Sequence, residues 1–177
     1  MQNQTMQFQL KPGMPAPALS FKTLTGDYWN IKNTEPTGLD LIAVYRGLFC
    51  PYCRGFISAL ASQRESLGRL GITPIAVSMD DESKARQTKK EWNLGDMTLG
   101  YDVGIDDVRA WNIFLTTREQ AGQMVTFCEP ALLMVNPQKQ IYAMILQSIP
   151  SGRPDLQNLL EGLEFLAKQG FPIRGSA

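Results

Sequence analysis

Cys50-Pro51-Tyr52-Cys53 is the stretch best equipped for chemistry. Two thiols separated by two residues can cycle between dithiol and disulfide, one attacking and the other resolving. Arg46 and Arg54 bracket the pair, and nearby positive charge favours a thiolate. A third cysteine, Cys128, stands two residues before Pro130, and the chain has no histidine. Without histidine, Ser-His-Asp and Cys-His devices are excluded. Three cysteines also cannot complete a four-ligand Cys/His zinc site within one chain. Asp106 and Asp107 are adjacent acids, but neighbours on a helix point in different directions, so they are not read as a catalytic pair.

The motif joins an apolar run, Leu39 to Tyr45, to an amphipathic run, Gly55 to Leu70. Pro51 suits the first helical position, because the N–H it lacks would be unpaired there anyway. Cys50 then falls at the N-cap, where free backbone N–H groups and the helix dipole favour an anion. Its sulfur can accept from the Cys53 amide. A thiolate so placed can have its pKa lowered from about 8.5 into the range of roughly 3.5–7.5. Cys53, Phe56, Ile57, Leu60, Leu67 and Leu70 form one stripe at helical spacing. The spacing therefore turns Cys53 toward the core and leaves Cys50 at a tip that can meet solvent.

The rest of the chain reads as an α/β protein with a sheet of mixed strand direction. Leu19 to Leu24 and Tyr28 to Ile31 are two short strands joined by a Thr25-Gly26-Asp27 turn. Leu39 to Tyr45 and Ile72 to Met79 are apolar enough to be central strands. A polar helix runs from Asp80 to about Trp92, and its basic residues read as a solvated face. Met97 to Tyr101 is a short strand, and Asp102 is placed to cap a short helix. Leu115 to Gln123 reads as a polar loop. Ala131 to Val135 and Ile141 to Leu146 pair as a hairpin, and a final helix starts at Pro154 and ends at Gly170. Residues 1–10 and 171–177 are expected to be loose ends of a single domain spanning 1–177.

With 177 residues and 44% hydrophobic content, a chain of this size buries roughly 70% of its unfolded surface. Seventeen basic and seventeen acidic residues cancel. No basic block points to nucleic acid, and no long apolar run points to a membrane span or a secretion signal. Three cysteines do not make a secreted disulfide framework, so a cytoplasmic setting is the expectation.

On these residues the chain resembles the peroxiredoxin-like proteins of the alkyl hydroperoxide reductase C / thiol-specific antioxidant family, on the thioredoxin fold. The likeness covers roughly Lys11 to Leu166. It is carried by Lys11-Pro12-Gly13-Met14-Pro15-Ala16-Pro17, Thr23-Leu24-Thr25-Gly26-Asp27, Tyr45-Arg46-Gly47, Val77-Ser78-Met79-Asp80, Asp102 with Val108-Arg109-Ala110-Trp111, and Pro130-Ala131-Leu132-Leu133. The resemblance implies a central mixed sheet flanked by helices, with an N-terminal hairpin extension. It makes Cys50 the attacking thiol, Cys53 the resolving thiol and the Glu129–Pro130 bond cis. Arg46, Pro51, Tyr52, Arg54, Glu129 and Pro130 form the supporting set. Two family features are missing: Ala43 and Gly47 occupy the Pro and Thr/Ser places of P-x-x-x-[ST]-x-x-C, and no arginine stands near Cys128-Glu129-Pro130. Arg46 and Arg54 are the candidates to replace that arginine.

The leading expectation is a thiol-dependent peroxidase, with Cys50 oxidised by a peroxide and resolved by Cys53. A thioredoxin- or glutathione-type reductant then restores the dithiol. C-P-Y-C is also the glutaredoxin motif, so a general thiol–disulfide oxidoreductase acting on protein or glutathione disulfides is the alternative. A non-catalytic redox sensor or iron–sulfur module bridging two chains is a third. No cofactor or resident metal is expected, and a homodimer is left open.

Overall fold

A computed structural model describes residues 9–177. It contains a seven-stranded sheet built from β1 (Ser20–Thr23), β2 (Tyr28–Asn30), β3 (Leu39–Val44), β4 (Ile72–Val77), β5 (Thr98–Tyr101), β8 (Ala131–Val135) and β9 (Ile141–Leu146). A separate hairpin is formed by β6 (Leu115–Gln120) and β7 (Gln123–Cys128). The order across the main sheet is β2-β1-β5-β4-β3-β8-β9. β3, β4 and β5 run parallel, and the remaining neighbours pair antiparallel. The sheet is therefore mixed, as expected, and the N-terminal hairpin joins it through β1 against β5.

β3 lies near the middle of this sheet and is buried along its whole length. Its side chains alternate between two cores. Leu39, Leu41 and Ala43 join one cluster with Ile57, Leu60, Leu67 and Leu163. Ile42 and Val44 join another with Phe21, Val108, Trp111 and Leu133. A strand covered on both faces is apolar at nearly every position, which is why its sequence reads as an almost continuous run; the exception, Asp40, is buried and accepts a hydrogen bond from the Thr34 hydroxyl.

The helices are α1 (Pro51–Ser62), α2 (Arg64–Arg69), α3 (Glu82–Glu91), α4 (Ile105–Ala110) and α5 (Leu156–Ala167). The single helix expected after the cysteine motif is two, because Gln63 leaves helical dihedrals (φ −94°, ψ 4°) and interrupts it. Asp81 caps α3 by accepting from the Lys84 N–H. Asp102 does not cap α4. It sits in the left-handed region (φ 54°), donates its N–H to the Asp80 carbonyl and pairs with Lys22 at 3.1 Å; Gly104 precedes the helix instead. Asp155 caps α5 through the Asn158 N–H.

Leu115 to Gln123, expected as a polar loop, forms most of the β6–β7 hairpin. The four residues from Thr117 to Gln120 are exposed, so neither face shows the apolar alternation that marks a strand. At the C-terminus, Phe171 packs edge-on against Tyr142 and Ile173 lies against the first core, so the expected loose tail does not include these two side chains. At the other end, residues 1–8 of the expected loose lead-in lie outside the described residues. Among the described residues, no helix is long and apolar enough to cross a membrane.

Candidate active site

β3 delivers the chain to a loop, Tyr45 to Phe49, that leads into α1. The Tyr45 N–H donates to the Val77 carbonyl and the Cys50 N–H to the Gly47 carbonyl, at 3.0 and 3.1 Å. Pro51 opens the helix and Cys50 is its N-cap, in an extended conformation. The Cys50 Sγ accepts the Cys53 N–H at 3.3 Å. The cap geometry read from the motif is thus present.

The expected exposure of Cys50 is not. Cys50 is only 1% exposed, and Cys53 is fully buried. Helical periodicity places a residue around the axis, but it does not show what covers the end of the helix. Phe49, 37% exposed, precedes the sulfur and packs edge-on against Phe127 of the β6–β7 hairpin, with ring centroids 5.0 Å apart. The side chain of Tyr52 points outward and is 60% exposed.

Burial by itself would raise a thiol pKa. At Cys50 it is overcome. The Cys53 thiol donates to the Cys50 sulfur, the Cys53 amide donates as well, and the Arg46 guanidinium adds a hydrogen bond and its charge; together they lower Cys50 to about 6. Cys53 moves the other way, raised above the usual thiol range by its bond to Cys50 and by burial. The pair therefore carries one proton, held on Cys53, with the negative charge on Cys50.

Of the two candidate arginines, Arg46 reaches the thiols and Arg54 does not. Arg54 donates to the Glu91 carbonyl on the exposed side of α1. The Arg46 Nε lies 3.2 Å from the Glu129 carboxylate, but neither atom has an aligned hydrogen-bond partner, so this is a charge contact. Glu129 is fixed by Thr116, whose hydroxyl donates to Oε1 at 2.6 Å. The Arg46 guanidinium also lies over Phe127 and Phe49, at 4.8 and 5.4 Å from the ring centroids. Arg118 of β6 lies over the same two rings. Two cations and two rings thus hold the hairpin against the loop in front of Cys50.

Gly47, at the place of the family hydroxyl, cannot carry a side chain. Its φ is +139°, and a Cβ there would lie 2.9 Å from both Asp80 carboxylate oxygens. Asp80 in turn accepts the Leu48 N–H at 2.8 Å, and burial raises its pKa. A carboxylate that orders the loop replaces the hydroxyl's volume but not its chemistry.

Pro130 begins the link into β8, as the resemblance implies, but the Glu129–Pro130 bond is trans; among the described residues there is no cis peptide bond. The Glu129 N–H donates to the Phe114 carbonyl, and the Pro130 carbonyl accepts from Gln147. The trans form, favoured before proline by about 0.5–1 kcal/mol, satisfies both bonds. Cys128 lies on the far side of β3's end, in the second core. Its thiol donates to the Tyr45 carbonyl at 3.3 Å, and burial pushes its pKa up to about 12.

One site residue gave no signal in the sequence. Arg153, in the segment before α5, places Nη2 3.7 Å from the Cys53 Sγ and donates from it to the Val44 carbonyl. A hundred residues separate Arg153 from Cys53, and no local motif marks it.

A sequence model of the AhpC/TSA family matches residues 12–144. The chain belongs to the AhpC/TSA family. It is an oxidoreductase of the thioredoxin-fold, peroxiredoxin-like kind. Comparison with curated protein sequences returned no significant match. Among solved structures, the peroxidoxin BcpB from Mycobacterium tuberculosis superposes with a TM-score of 0.70 at 12% identity, over 89% of this chain and 99% of that one. A peroxiredoxin-like protein from Aquifex aeolicus gives 0.72 at 16% identity, over 89% and 88%. The thioredoxin domain of a thiol-disulfide oxidoreductase from Bacteroides vulgatus gives 0.65 at 18% identity, over 90% and 99%. At these identities the likenesses establish the fold. They span both activities weighed from the sequence.

Proposed function

We propose that this AhpC/TSA chain is a thiol-dependent peroxidase in which Cys50 is the nucleophile and Cys53 resolves it. The carrying observation is a buried sulfur held as an anion. Cys50 is lowered to about 6 while only 1% of it meets solvent. A small peroxide needs less room at such a sulfur than the disulfide of a folded partner does.

The Cys50 thiolate attacks one peroxide oxygen, the O–O bond breaks, and the leaving oxygen takes a proton as water or an alcohol. Cys50 becomes a sulfenic acid. The Cys53 sulfur attacks Cys50, the S–O bond breaks, water leaves, and the disulfide forms. A dithiol or glutathione-type reductant returns two electrons and two protons. Arg46 is the group that balances charge at Cys50, in place of the family arginine. The redox group is the cysteine pair itself, and a cytoplasmic setting goes with a pair that must be kept reduced.

The alternative, a general thiol–disulfide oxidoreductase, draws on one observation: Gly47 removes the hydroxyl that would orient a peroxide, beside a C-P-Y-C pair with an outward Tyr52. Second-order rate constants of the reduced protein with hydrogen peroxide, an organic hydroperoxide and oxidised glutathione separate the two. A peroxide is expected to react fastest; a faster reaction with oxidised glutathione would reverse the assignment.

A further inference from the structure

Arg153 is the strangest residue at the site. Its Nε and Nη1 are buried without a hydrogen-bond partner, and its guanidinium lies over the Phe56 ring at 4.7 Å. Among the described residues it forms no ion pair with a carboxylate, and residues 1–8 contain no acid. A buried cation is costly unless an anion compensates it. The neighbours on hand are the Val44 carbonyl and the Cys53 sulfur. The one group in contact that can become an anion is Cys53.

We propose that Arg153 is the charge partner of the resolving sulfur, stabilising Cys53 as a thiolate when it attacks oxidised Cys50 and when it leaves on reduction of the disulfide. This rests on the Cys50–Cys53 redox reading above. In the reduced protein the negative charge sits on Cys50, beside Arg46, and Cys53 keeps its proton chiefly because it donates to that anion. Oxidation of Cys50 to a sulfenic acid removes the anion. The largest influence holding the proton on Cys53 goes with it; burial still opposes a charge there, and the Arg153 charge, the foremost influence favouring the Cys53 thiolate, stays to offset it. The charged side chain facing Cys53 is then Arg153, from the segment before α5, and the Arg46 backbone adds a favourable but uncharged contribution. The site thus has two cations for two sulfurs, and negative charge moves from one to the other as the reaction proceeds.

On reduction, a reductant thiolate attacks the Cys50 sulfur, the S–S bond breaks, and its electron pair leaves on Cys53. A less basic leaving thiolate departs faster. A neighbouring guanidinium lowers the pKa of an acid by roughly 1–3 units, so its loss should slow this step about threefold to thirtyfold, taking for the leaving thiol the same sensitivity of roughly 0.4–0.5 that holds for the attacking one.

The test needs no peroxide. The disulfide is preformed with diamide, and its reduction by dithiothreitol is followed at pH 7 for the wild type, Arg153→Gln and Arg153→Lys, with thermal melts to confirm folding. Arg153→Gln should slow reduction about threefold to thirtyfold, and Arg153→Lys should recover most of the rate. Equal rates for the wild type and Arg153→Gln would overturn the proposal. So would a lysine variant as slow as the glutamine one, which would assign Arg153 to shape. A second measurement holds if Arg153→Gln does not fold: in Cys50→Ser, which has no Cys50 anion, Cys53 alkylation should titrate clearly below that of Cys128, which is equally buried but is pushed up to about 12. An inflection as high as that of Cys128 would overturn the proposal. If instead peroxide fails to oxidise the wild type while Arg153 still governs reduction by dithiothreitol, the peroxidase reading falls and the Arg153 assignment stands.

Discussion

Cys50 and Cys128 have almost the same exposure, 1% and 0%, and nearly opposite chemistry. Cys50 is lowered to about 6, and Cys128 is pushed up to about 12. Both sulfurs have lost their water. The difference lies in what faces them. Cys50 is met by donors: a thiol, a helix-terminal amide and a guanidinium. The Cys128 thiol gives its own proton to the Tyr45 carbonyl, an acceptor that offers nothing to a thiolate. Burial penalises charge at both sulfurs, but at Cys128 it outweighs the backbone donors of Met79 and Cys128 itself, whereas at Cys50 the donors and the Arg46 charge outweigh it. A buried cysteine is therefore reactive or inert according to whether its donors and cations exceed the cost of its desolvation.

The strongest way to break this contrast is to remove the sulfur that the donors face. Cys50→Ser should reduce peroxide consumption to background, because Cys128 cannot supply a thiolate near neutral pH. Residual turnover that vanishes in the Cys50→Ser, Cys128→Ala double variant would show that the two cysteines are not so different. Cys53→Ser should leave the first attack intact and stop the cycle after one event. Mass spectrometry should then find Cys50 carrying one added oxygen, or captured by an added thiol. Normal turnover in Cys53→Ser would move resolution to Cys128, as would a Cys50–Cys128 linkage in the oxidised wild-type protein.

A smaller change sharpens the contrast. Cys50 is an acid whose pKa is depressed, so its thiolate is fully present well above pH 6 and is lost as pH falls through about 6. Alkylation of Cys50 should follow that titration. Arg46→Met removes one of the donors, and a loss of about one pKa unit is the modest end of an arginine's effect. The thiolate fraction would then fall about fivefold at pH 6 and only about twofold at pH 7. An unchanged profile would mean that the Cys53 thiol and the helix terminus suffice, and that Arg46 serves mainly to anchor Glu129 and the two phenylalanine rings.

The sequence reading succeeded where the physics is local. Pro51 at the helix start, Cys50 at the cap and the stripe through Ile57 and Leu60 depend on residues a few positions apart. The apolar run of β3, broken only by Asp40, reported a strand with two covered faces. It failed where distant segments meet. Phe49, next to Cys50, packs against Phe127, 78 positions away in the chain. Arg46 finds Glu129 across a similar gap, and Arg153 reaches Cys53 from a segment with no pattern of its own. The β6–β7 hairpin was hidden for a different reason. It is pinned by Arg118 stacked on Phe49 and Phe127 rather than by an apolar face, so period-two alternation had nothing to report. The Glu129–Pro130 bond was assigned cis by likeness to the family, and no local interaction around it requires that form.

The smallest expected effect concerns Cys128, and it tests the inert half of the contrast. Cys128 ends β7 and packs in the second core with Val44, Ala131 and Leu133. Replacing it with alanine removes one buried sulfur and the bond to the Tyr45 carbonyl. Truncating a buried side chain by one heavy atom and losing one weak hydrogen bond should together cost about 1 kcal/mol. In a chain of this length that lowers the melting temperature by about 2–4 °C. Tyr45 begins the loop that carries Arg46 toward Cys50, so the lost bond touches the segment that positions the nucleophile. The Tyr45 N–H remains tied to the Val77 carbonyl, and its ring stays packed against Trp92 at 5.3 Å, which should hold the loop in place. Cys128→Ala should therefore melt slightly earlier while keeping near-normal peroxide turnover and an unshifted Cys50 titration. A shifted Cys50 titration at unchanged stability would show that the Cys128–Tyr45 bond helps set the geometry of the reactive thiol.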